Sequence, residues 1–321
     1  MAAMLPAELR TVFDRFITTE YVTIDGRGQP IAWPVTPYPH EHDGELCLDV
    51  TTGLGYPKKA RDAQRNPRIA LLFSDPTGSG LTDPPMVLVQ GTARVDEEDL
   101  EANRERYRRE GRAKLPKANE KAPPPSMDRF MSWYVDRIYI HLVPQRVLVW
   151  RNGDVTAQPE VVLDELPGLG SPSPQSSGPG GRTPQSGWDE RIERLGTQYT
   201  TAVLAIVGAD GFPLAARVPV RADRAAGLVR LEATPAGIPL TPGRACITAH
   251  AHGPEFEWQR NFQVRGDLVE ADGGWALRPR KLVGGFEIPE NQFAVLRENF
   301  RKVMRYRKTA KAELKKRKAP A

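Results

Sequence analysis

The stretch TTGLGYPKKA, which begins at Thr51, combines the residue types that bind phosphate groups in proteins. Two hydroxyl side chains, Thr51 and Thr52, end a strand-like run and can donate hydrogen bonds to an anion. Lys58 and Lys59 then stand at the first turn of a helix-like segment, whose unpaired backbone N–H groups and positive dipole end attract negative charge. No acidic residue precedes Asp62 there, although a helix start favours one. The pattern predicts an anion site, and a solvated pair of lysines is the alternative.

The elements around this loop are short and mostly of β type. The strand-like runs upstream of residue 163 cover residues 21–24, 30–36, 46–50, 69–73, 86–90, 137–143 and 146–150. Many end in Asp-Gly, Asn-Gly or proline-containing turns, which is typical of a barrel or a sandwich. Helices are predicted over residues 57–66, ended by Asn66 before Pro67, and over 96–110, which opens with acidic residues.

The second half repeats the order of the first after a segment rich in Pro, Gly and Ser. A helix-like stretch over 188–196 precedes strands at 200–207 and 214–220, and PGRACITAH and FQVRGDLV echo NPRIALLF and VLVQGTARV. The shared order favours duplication of one unit. We therefore expect four parts, at residues 1–162, 163–187 (a flexible linker), 188–300 and 301–321 (a basic helical tail).

One family carries the same order of motifs across residues 20–150. The succession QPIAWPV, a turn at Asp43-Gly44, TTGLGYPKKARD, NPRIALLF and VLVQGTARV resembles the pyridoxamine 5′-phosphate oxidase-like flavin-binding split β-barrels. In that family a loop before a short helix and an N-P-R strand holds the flavin phosphate. The resemblance assigns this role to Lys58 and Lys59, and it makes Thr51 and Thr52 counterparts of the family's Tyr-Thr pair. Tyr56-Pro57 departs from the family, which often has serine there.

The resemblance also implies where the flavin ring lies. The strand containing Trp33, Val35 and Thr36 is similar to the family strand whose backbone contacts the isoalloxazine edge, although Trp33 also suits a core aromatic. The cofactor expected is FMN, with a deazaflavin as the alternative and haem less favoured. The residues that hold pyridoxal phosphate in vitamin B6 enzymes have no clear match, so a vitamin B6 oxidase is not expected.

The second half lacks the phosphate loop, since LEATPAGIPLTPGR stands in its place and contains no lysine. The fold class expected is therefore mainly β with short helices: two tandem split β-barrels, the second degenerate, and a basic C-terminal helix. In the family the flavin lies between two barrels, so the second half is expected to replace a dimer partner. It would complete the site through residues such as His250, His252, Trp258 and Arg260. A homodimer of the whole chain stays open.

The function expected is flavin-dependent oxidoreduction, with hydride transferred to or from a small molecule. A non-catalytic flavin- or haem-binding protein is the alternative, and no catalytic residue is identified from the sequence. Neither a Ser-His-Asp order nor a paired-carboxylate motif stands out, which suits chemistry supplied by a cofactor. His40 and His42, like His250 and His252, are spaced to share one face of a strand. We find no Cys or third His near either pair, and metal sites usually need three protein ligands, so no metal site is expected.

Charge and hydropathy limit the partners. The chain carries a net charge of +5, but residues 301–321 hold ten Lys or Arg against one Glu, a local charge of +9 that leaves the remainder at −4. The basic character thus belongs to a tail, which we expect to be a solvated helix, and nucleic acid is not an expected partner. The sequence contains no apolar run long enough to span a membrane and no N-terminal pattern typical of a signal peptide. We therefore expect no membrane partner and a cytoplasmic location. Cys47 and Cys246 suit small buried side chains.

Overall fold

The computed structural model describes residues 5–42, 45–120, 124–166, 188–285 and 296–318. The predicted turn at Asp43-Gly44 and most of the predicted linker, residues 167–187, lie outside these ranges. None of the helices in the described ranges is long and apolar enough to cross a membrane.

The first half of the chain combines eight strands with five helices. In order they are α1 (Ala7–Arg15), β1 (Thr19–Ile24), β2 (Pro30–Val35), β3 (Tyr38–His42), β4 (Glu45–Gly53), α2 (Lys58–Arg65), β5 (Arg68–Phe73), β6 (Met86–Asp96), α3 (Leu100–Lys114), α4 (Pro116–Glu120), α5 (Asp128–Val135), β7 (Arg137–Trp150) and β8 (Glu160–Asp164). The second half contributes β9 (Thr201–Val207), β10 (Pro213–Asp223), β11 (Leu228–Leu231), β12 (Gly243–His252), β13 (Gln259–Ala271), β14 (Gly274–Gly284) and α6 (Leu296–Lys318).

The strands of the first half form one antiparallel sheet in the order β2-β1-β5-β6-β7-β4-β3, with β8 added to β7. The strand is interrupted at Thr36-Pro37, between β2 and β3, because proline cannot donate a hydrogen bond to a strand ladder. The two strands predicted at 137–143 and 146–150 form one strand, β7, which bends where Gly91 of β6 faces Pro144. The register shifts there by one residue, as in a β-bulge.

The second half closes into a six-stranded barrel in the order β10-β11-β14-β13-β12-β9. Starting from β10 and passing through β9, this is the strand order of the first half. The long strand β10 takes the place of both β2 and β3, since it pairs with β9 along one part and with β11 along the other. The fold is therefore mainly β with two tandem split barrels, as the sequence predicts. The predicted helix over 188–196 is wrong, because only a short 3₁₀ turn forms, at Glu190–Arg194.

The two halves share a hydrophobic core. Val22, Leu72 and Leu88 of the first sheet pack into the same buried cluster as the strands of the closed barrel. The backbone oxygen of Ala32 accepts hydrogen bonds from Thr248 Oγ1 at 2.9 Å and from Gln263 Nε2 at 2.7 Å. The second half thus covers one face of the first sheet, which is the arrangement expected of a partner barrel within one chain.

The basic helix α6 packs on the first half and is not a solvated tail. Ala310 is buried, and the ring of Tyr306 stacks on Trp133 with centroids 5.5 Å apart and an interplanar angle of 22°. The buried carboxylate of Glu313 pairs with Arg61 of α2. The expectation of a solvated helix fails because Val303, Tyr306, Ala310 and Leu314 of α6 pack against the core of the first half.

Candidate functional site

The two threonines of the predicted phosphate loop point to opposite faces of the sheet. Thr52 faces the core, is fully buried, and donates a hydrogen bond from Oγ1 to the backbone oxygen of Tyr56 at 2.9 Å. It therefore closes the turn that leads to α2. Thr51 is half-buried and lies opposite Tyr139 in the β4–β7 pairing, on the other face of the strand. The sequence treats the pair as equivalent, but alternation along a strand separates them.

The two lysines also separate. Lys58 has a side chain 57% exposed, and its ammonium pairs with Asp62 Oδ2 one turn later at 2.6 Å. Lys59 points inward. Burial, and after it the positive charge of Arg137, lowers the pKa of the Lys59 ammonium to about 8. Lys58 is a satisfied surface residue, whereas Lys59 carries a charge that its surroundings do not balance.

Arg137 is a second cation, and its positive charge acts on Lys59. It opens β7, is 5% exposed, and lies opposite Gly53, which has no side chain to occupy the space. Its guanidinium donates to Tyr56 Oη at 3.0 Å and to Tyr107 Oη at 2.6 Å, and it lies 4.4 Å from the ring centroid of Tyr134. Its Nε has no acceptor in the structure.

We call Lys59, Arg137, Tyr56, Tyr107 and Tyr134 the cation–tyrosine cluster. The groups that contact Arg137 are the hydroxyls and rings of tyrosines, and no carboxylate of the described residues pairs with Lys59 or Arg137. A buried guanidinium and a half-buried ammonium without a counter-charge are unfavourable unless an anion joins them. The cluster is thus a candidate site for an anionic ligand.

The start of helix α2 adds to this preference. Pro57 occupies the N-cap position and provides no side-chain cap, and the first turn contains no acidic residue. The first N–H groups of a helix have no intrahelical acceptors, so they are available to a bound anion. Lys59 lies in this first turn, so the side-chain charge and the backbone donors are close to each other.

The strand predicted to contact the flavin ring meets the second barrel instead of an open pocket. Val35 is buried in the core of the first half, and the half-buried Trp33 lies against Gly285 at the end of β14. The cation–tyrosine cluster is approached from this side by Tyr38, which follows Thr36 after one proline and whose ring centroid lies 6.5 Å from that of Tyr107.

The second half contributes its histidines to a different place. His250 Nε2 lies 2.6 Å from Glu20 Oε1, and Arg217 reaches the same carboxylate at 3.0 Å. Asp75 lies 3.6 Å from His250 and 3.8 Å from His252. We call these five residues the interdomain cluster, and it borders a cavity of about 280 Å³ between the halves.

The acidic and basic groups of the interdomain cluster pair with one another. Burial acts to raise the pKa of Asp75, but the interaction with Arg217, and after it those with His250 and His252, lower it to about 2. Burial lowers the pKa of His252 below its usual range. Glu20 and Tyr21 are successive residues of β1, and Tyr21 Oη contacts the backbone oxygen of Lys59 from the opposite face. The interdomain cluster contains Glu20 of β1, whereas the cation–tyrosine cluster contains Arg137 of β7.

His250 and His252 therefore lie in the interdomain cluster and not in the cation–tyrosine cluster, and their part in a flavin site stays a prediction. Trp258 and Arg260 stack on each other, with the guanidinium 4.8 Å from the ring centroid. The part of the second half that does reach the phosphate loop is α6, where Tyr306 lies 5.4 Å from the ring centroid of Tyr56. Sequence reasoning missed Arg137 and the tyrosines because they are distant in sequence; the run MSWYVDRIYI, rich in aromatic residues around one arginine, is the available signal.

Comparisons with known proteins find no matching family model and no matching curated protein. Among solved structures, the chain is similar to a conserved hypothetical protein from Mycobacterium tuberculosis, with 24% identity, a TM-score of 0.32, and coverage of 47% of this chain and 89% of that one. It is similar to a pyridoxamine 5′-phosphate oxidase-related, FMN-binding protein from Nostoc punctiforme, with 14% identity, a TM-score of 0.32, and coverage of 45% and 82%. It is also similar to a structure described as an F420 reductase, with 20% identity, a TM-score of 0.30, and coverage of 43% of this chain and 94% of that one.

Proposed function

We propose that the chain binds the phosphate of a flavin-type redox cofactor at the cation–tyrosine cluster. The observation that carries the proposal is a pair of cations, the half-buried Lys59 and the buried Arg137, that have no carboxylate partner among the described residues. A phosphate would accept hydrogen bonds from Arg137 Nε, from the Lys59 ammonium and from the first N–H groups of α2.

The donor set fits a phosphate monoester with a different selection of residues from the one the sequence suggests. Lys59 remains, Arg137 is added, and Lys58 and Thr52 drop out because Asp62 and the Tyr56 backbone occupy them. Thr51 lies on the same face of the sheet as Arg137 and can contribute a hydroxyl. Trp33, Val35 and Thr36 stay as proposed neighbours of the cofactor ring, by the family resemblance alone.

The loop sequence supports FMN, or alternatively a deazaflavin, as the cofactor. A phosphate site between a strand ending in Thr-Thr and a Lys-Lys helix start, followed by an N-P-R strand, resembles the FMN site of the split-barrel family, and a deazaflavin carries a phosphate as well. When bound, such a cofactor supplies hydride transfer, and the chain holds it and shields it from water. We propose an oxidoreductase acting on a small molecule.

A non-catalytic flavin- or haem-binding protein is the second candidate. It is favoured by the make-up of the cation–tyrosine cluster, in which the tyrosine hydroxyls are engaged with Arg137 and one another. No carboxylate or imidazole belongs to that cluster, so it has no group that exchanges a proton near neutral pH apart from Lys59.

The test is a titration of the purified full chain with FMN, followed by flavin fluorescence, for wild type and four variants. Lys59→Met and Arg137→Met each remove a charged donor worth about 1.5–3 kcal/mol, so the affinity should fall roughly 10- to 100-fold. Lys58→Met is the matched control and should stay within about twofold of wild type, because its side chain is exposed.

Arg137→Lys keeps the positive charge at this position, so it remains informative if Arg137→Met misfolds. Circular dichroism would report such misfolding. An affinity equal to wild type in both Lys59→Met and Arg137→Met would refute the site. Steady oxidation of a reduced nicotinamide by the FMN-loaded chain, faster than by free FMN, would favour the enzyme over the non-catalytic binder.

A further inference from the structure

A second group of ligand-type side chains lies on three neighbouring strands of the first sheet. His40 belongs to β3, Asp49 to β4 and His141 to β7, and these strands are adjacent in the order β7-β4-β3. Asp49 is directly opposite His141, and His40 is opposite Cys47, two residues from Asp49. Since residues two apart on a strand point to the same face, the three side chains converge on one face of the sheet.

The spacing of their polar atoms suits a metal ion. His40 Nδ1 lies 3.3 Å from Asp49 Oδ2, His141 Nδ1 lies 2.8 Å from Asp49 Oδ1, and one ligand atom from each residue lies within 4.8 Å of the others. Ligands about 2.0–2.2 Å from a tetrahedral zinc ion are about 3.3–3.6 Å apart. Small side-chain movements would bring the three atoms to these separations.

The hydrogen bonding of the two histidines is incomplete. His40 Nδ1 and His141 Nε2 are buried and have no hydrogen-bond partner in the structure. His141 Nε2 lies 3.8 Å from Asp96 Oδ2. Metal-binding imidazoles usually direct their second nitrogen at a carboxylate, so Asp96 is placed to support His141 once Nδ1 is bound to a cation.

Arg106 is the group that opposes a cation here. Its Nη2 lies 2.6 Å from Asp49 Oδ2. However, its Nε also pairs with Glu110 at 2.7 Å, and its guanidinium lies over the Tyr139 ring at 4.2 Å. Arg106 therefore keeps a counter-charge and a stacking partner when Asp49 turns to a metal ion. Arg94, the cross-strand neighbour of His141, is a second cation near the site.

We propose that His40, Asp49 and His141 form a binding site for a divalent transition-metal ion of the zinc type. Two imidazole nitrogens and one carboxylate oxygen suit Zn²⁺, Co²⁺ or Fe²⁺ better than Mg²⁺ or Ca²⁺, which prefer oxygen ligands. The His40 side chain is 29% exposed and borders a cavity of about 140 Å³ beside α1, which gives the ion a route from solvent. The bound ion would tie β3 to β4 and β7.

The experiment uses the full chain, freed of metal by a chelator, with Zn²⁺ followed by calorimetry and Co²⁺ by its visible absorption. Wild type should bind one ion per chain and give the strong absorption bands of low-coordinate Co²⁺. His141→Ala and His40→Ala should each weaken binding more than roughly 100-fold, since loss of outer-shell partners alone costs about 10- to 100-fold. His40 is partly exposed, so its variant keeps the test valid if His141→Ala fails to fold.

His252→Gln in the interdomain cluster is the matched control, because it removes a buried histidine that is not one of the three proposed ligands. It should bind Zn²⁺ as wild type does. The proposal is overturned if wild type shows no binding at micromolar Zn²⁺, or if His252→Gln loses the ion while His40→Ala and His141→Ala retain it.

Discussion

The two halves of the molecule share a strand order but differ in the segments that connect the strands. In the second half β13 turns directly into β14 through residues 272–273, and residues 232–242 join β11 to β12 without a helix. In the first half residues 97–136 between β6 and β7 contain α3, α4 and α5, and α2 lies between β4 and β5. The strand that stays whole as β10 is broken in the first half into β2 and β3.

The candidate sites lie where the first half interrupts the common pattern. Tyr56 precedes α2, Tyr107 belongs to α3, Tyr134 to α5, and Arg137 follows α5 directly. His40 lies on β3, beyond the break in the strand. The uninterrupted half closes its barrel and presents Arg217 and His250 to the other half. The insertions in the first half thus carry the candidate binding residues, while the regular second half provides the covering surface.

The largest effect is expected where the regular half holds the interrupted one. Arg146 is 1% exposed and its guanidinium pairs with the buried Asp210 at 2.7 Å and with Asp164 at 2.9 Å. Arg146→Met would leave Asp210 buried without its counter-charge, so the free energy of unfolding should fall by about 3–5 kcal/mol. Arg151→Met, which removes only exposed pairs with Glu8 and Glu160, should cost no more than about 1 kcal/mol. Urea unfolding measures both, and equal losses would contradict the role of Arg146.

The equivalence of the halves can be tested at their paired bulges. Gly91 of β6 and Gly266 of β13 both stand at a register shift, and a Cβ at either would lie 2.2 or 2.0 Å from the backbone oxygen of Val143 or Arg278. Gly91→Ala and Gly266→Ala should each destabilise the chain by about 1–3 kcal/mol, because backbone has to shift. Thermal unfolding checks this, with Gly273→Ala in an open turn as the reference for positive φ without a clash. A loss at one bulge only would show that the two strands do not bear the same constraint.

The smallest effect is a pH dependence confined to the first half. Lys59 keeps its proton below about pH 8 and loses it above, because burial and Arg137 lower its pKa to about 8. The FMN affinity should therefore fall about tenfold as the pH rises through 8, while the phosphate, with a second pKa of about 6, remains doubly charged. Lys59→Met should flatten the profile and Lys58→Met should preserve it. A profile unchanged by Lys59→Met would place the phosphate elsewhere.

The sign of the linked stability change is opposite for the ligand-free chain. In the unfolded chain Lys59 keeps a pKa of about 10.4, so between about pH 8 and 10.4 the unfolded state binds more protons than the folded one. The contribution of Lys59 to folding stability therefore improves as the pH rises through this window.

The local sequence pattern was sufficient to predict most strands and α2. The alternation of β-branched residues, the Asp-Gly turns and the Asn66-Pro67 stop predicted β1, β2, β5 and α2 to within a few residues. It missed α5, whose sequence DRFMSWYV lacks a clear helix start, and the short strand β3. It also split β7 at Pro144, since a bulge that absorbs proline depends on Gly91 in another strand.

The sequence by itself determined that this chain contains two copies of one strand order and that the loop after Thr51 carries positive charge beside a helix start. Both are local properties of residue type and spacing. The tertiary structure decided which charges remain unbalanced. It placed the Lys58 ammonium beside the Asp62 carboxylate and the Lys59 ammonium near Arg137. It also brought His141 close to His40, although the two residues lie far apart along the chain. Charge balance depends on distances in space, which strand pairing between distant segments fixes.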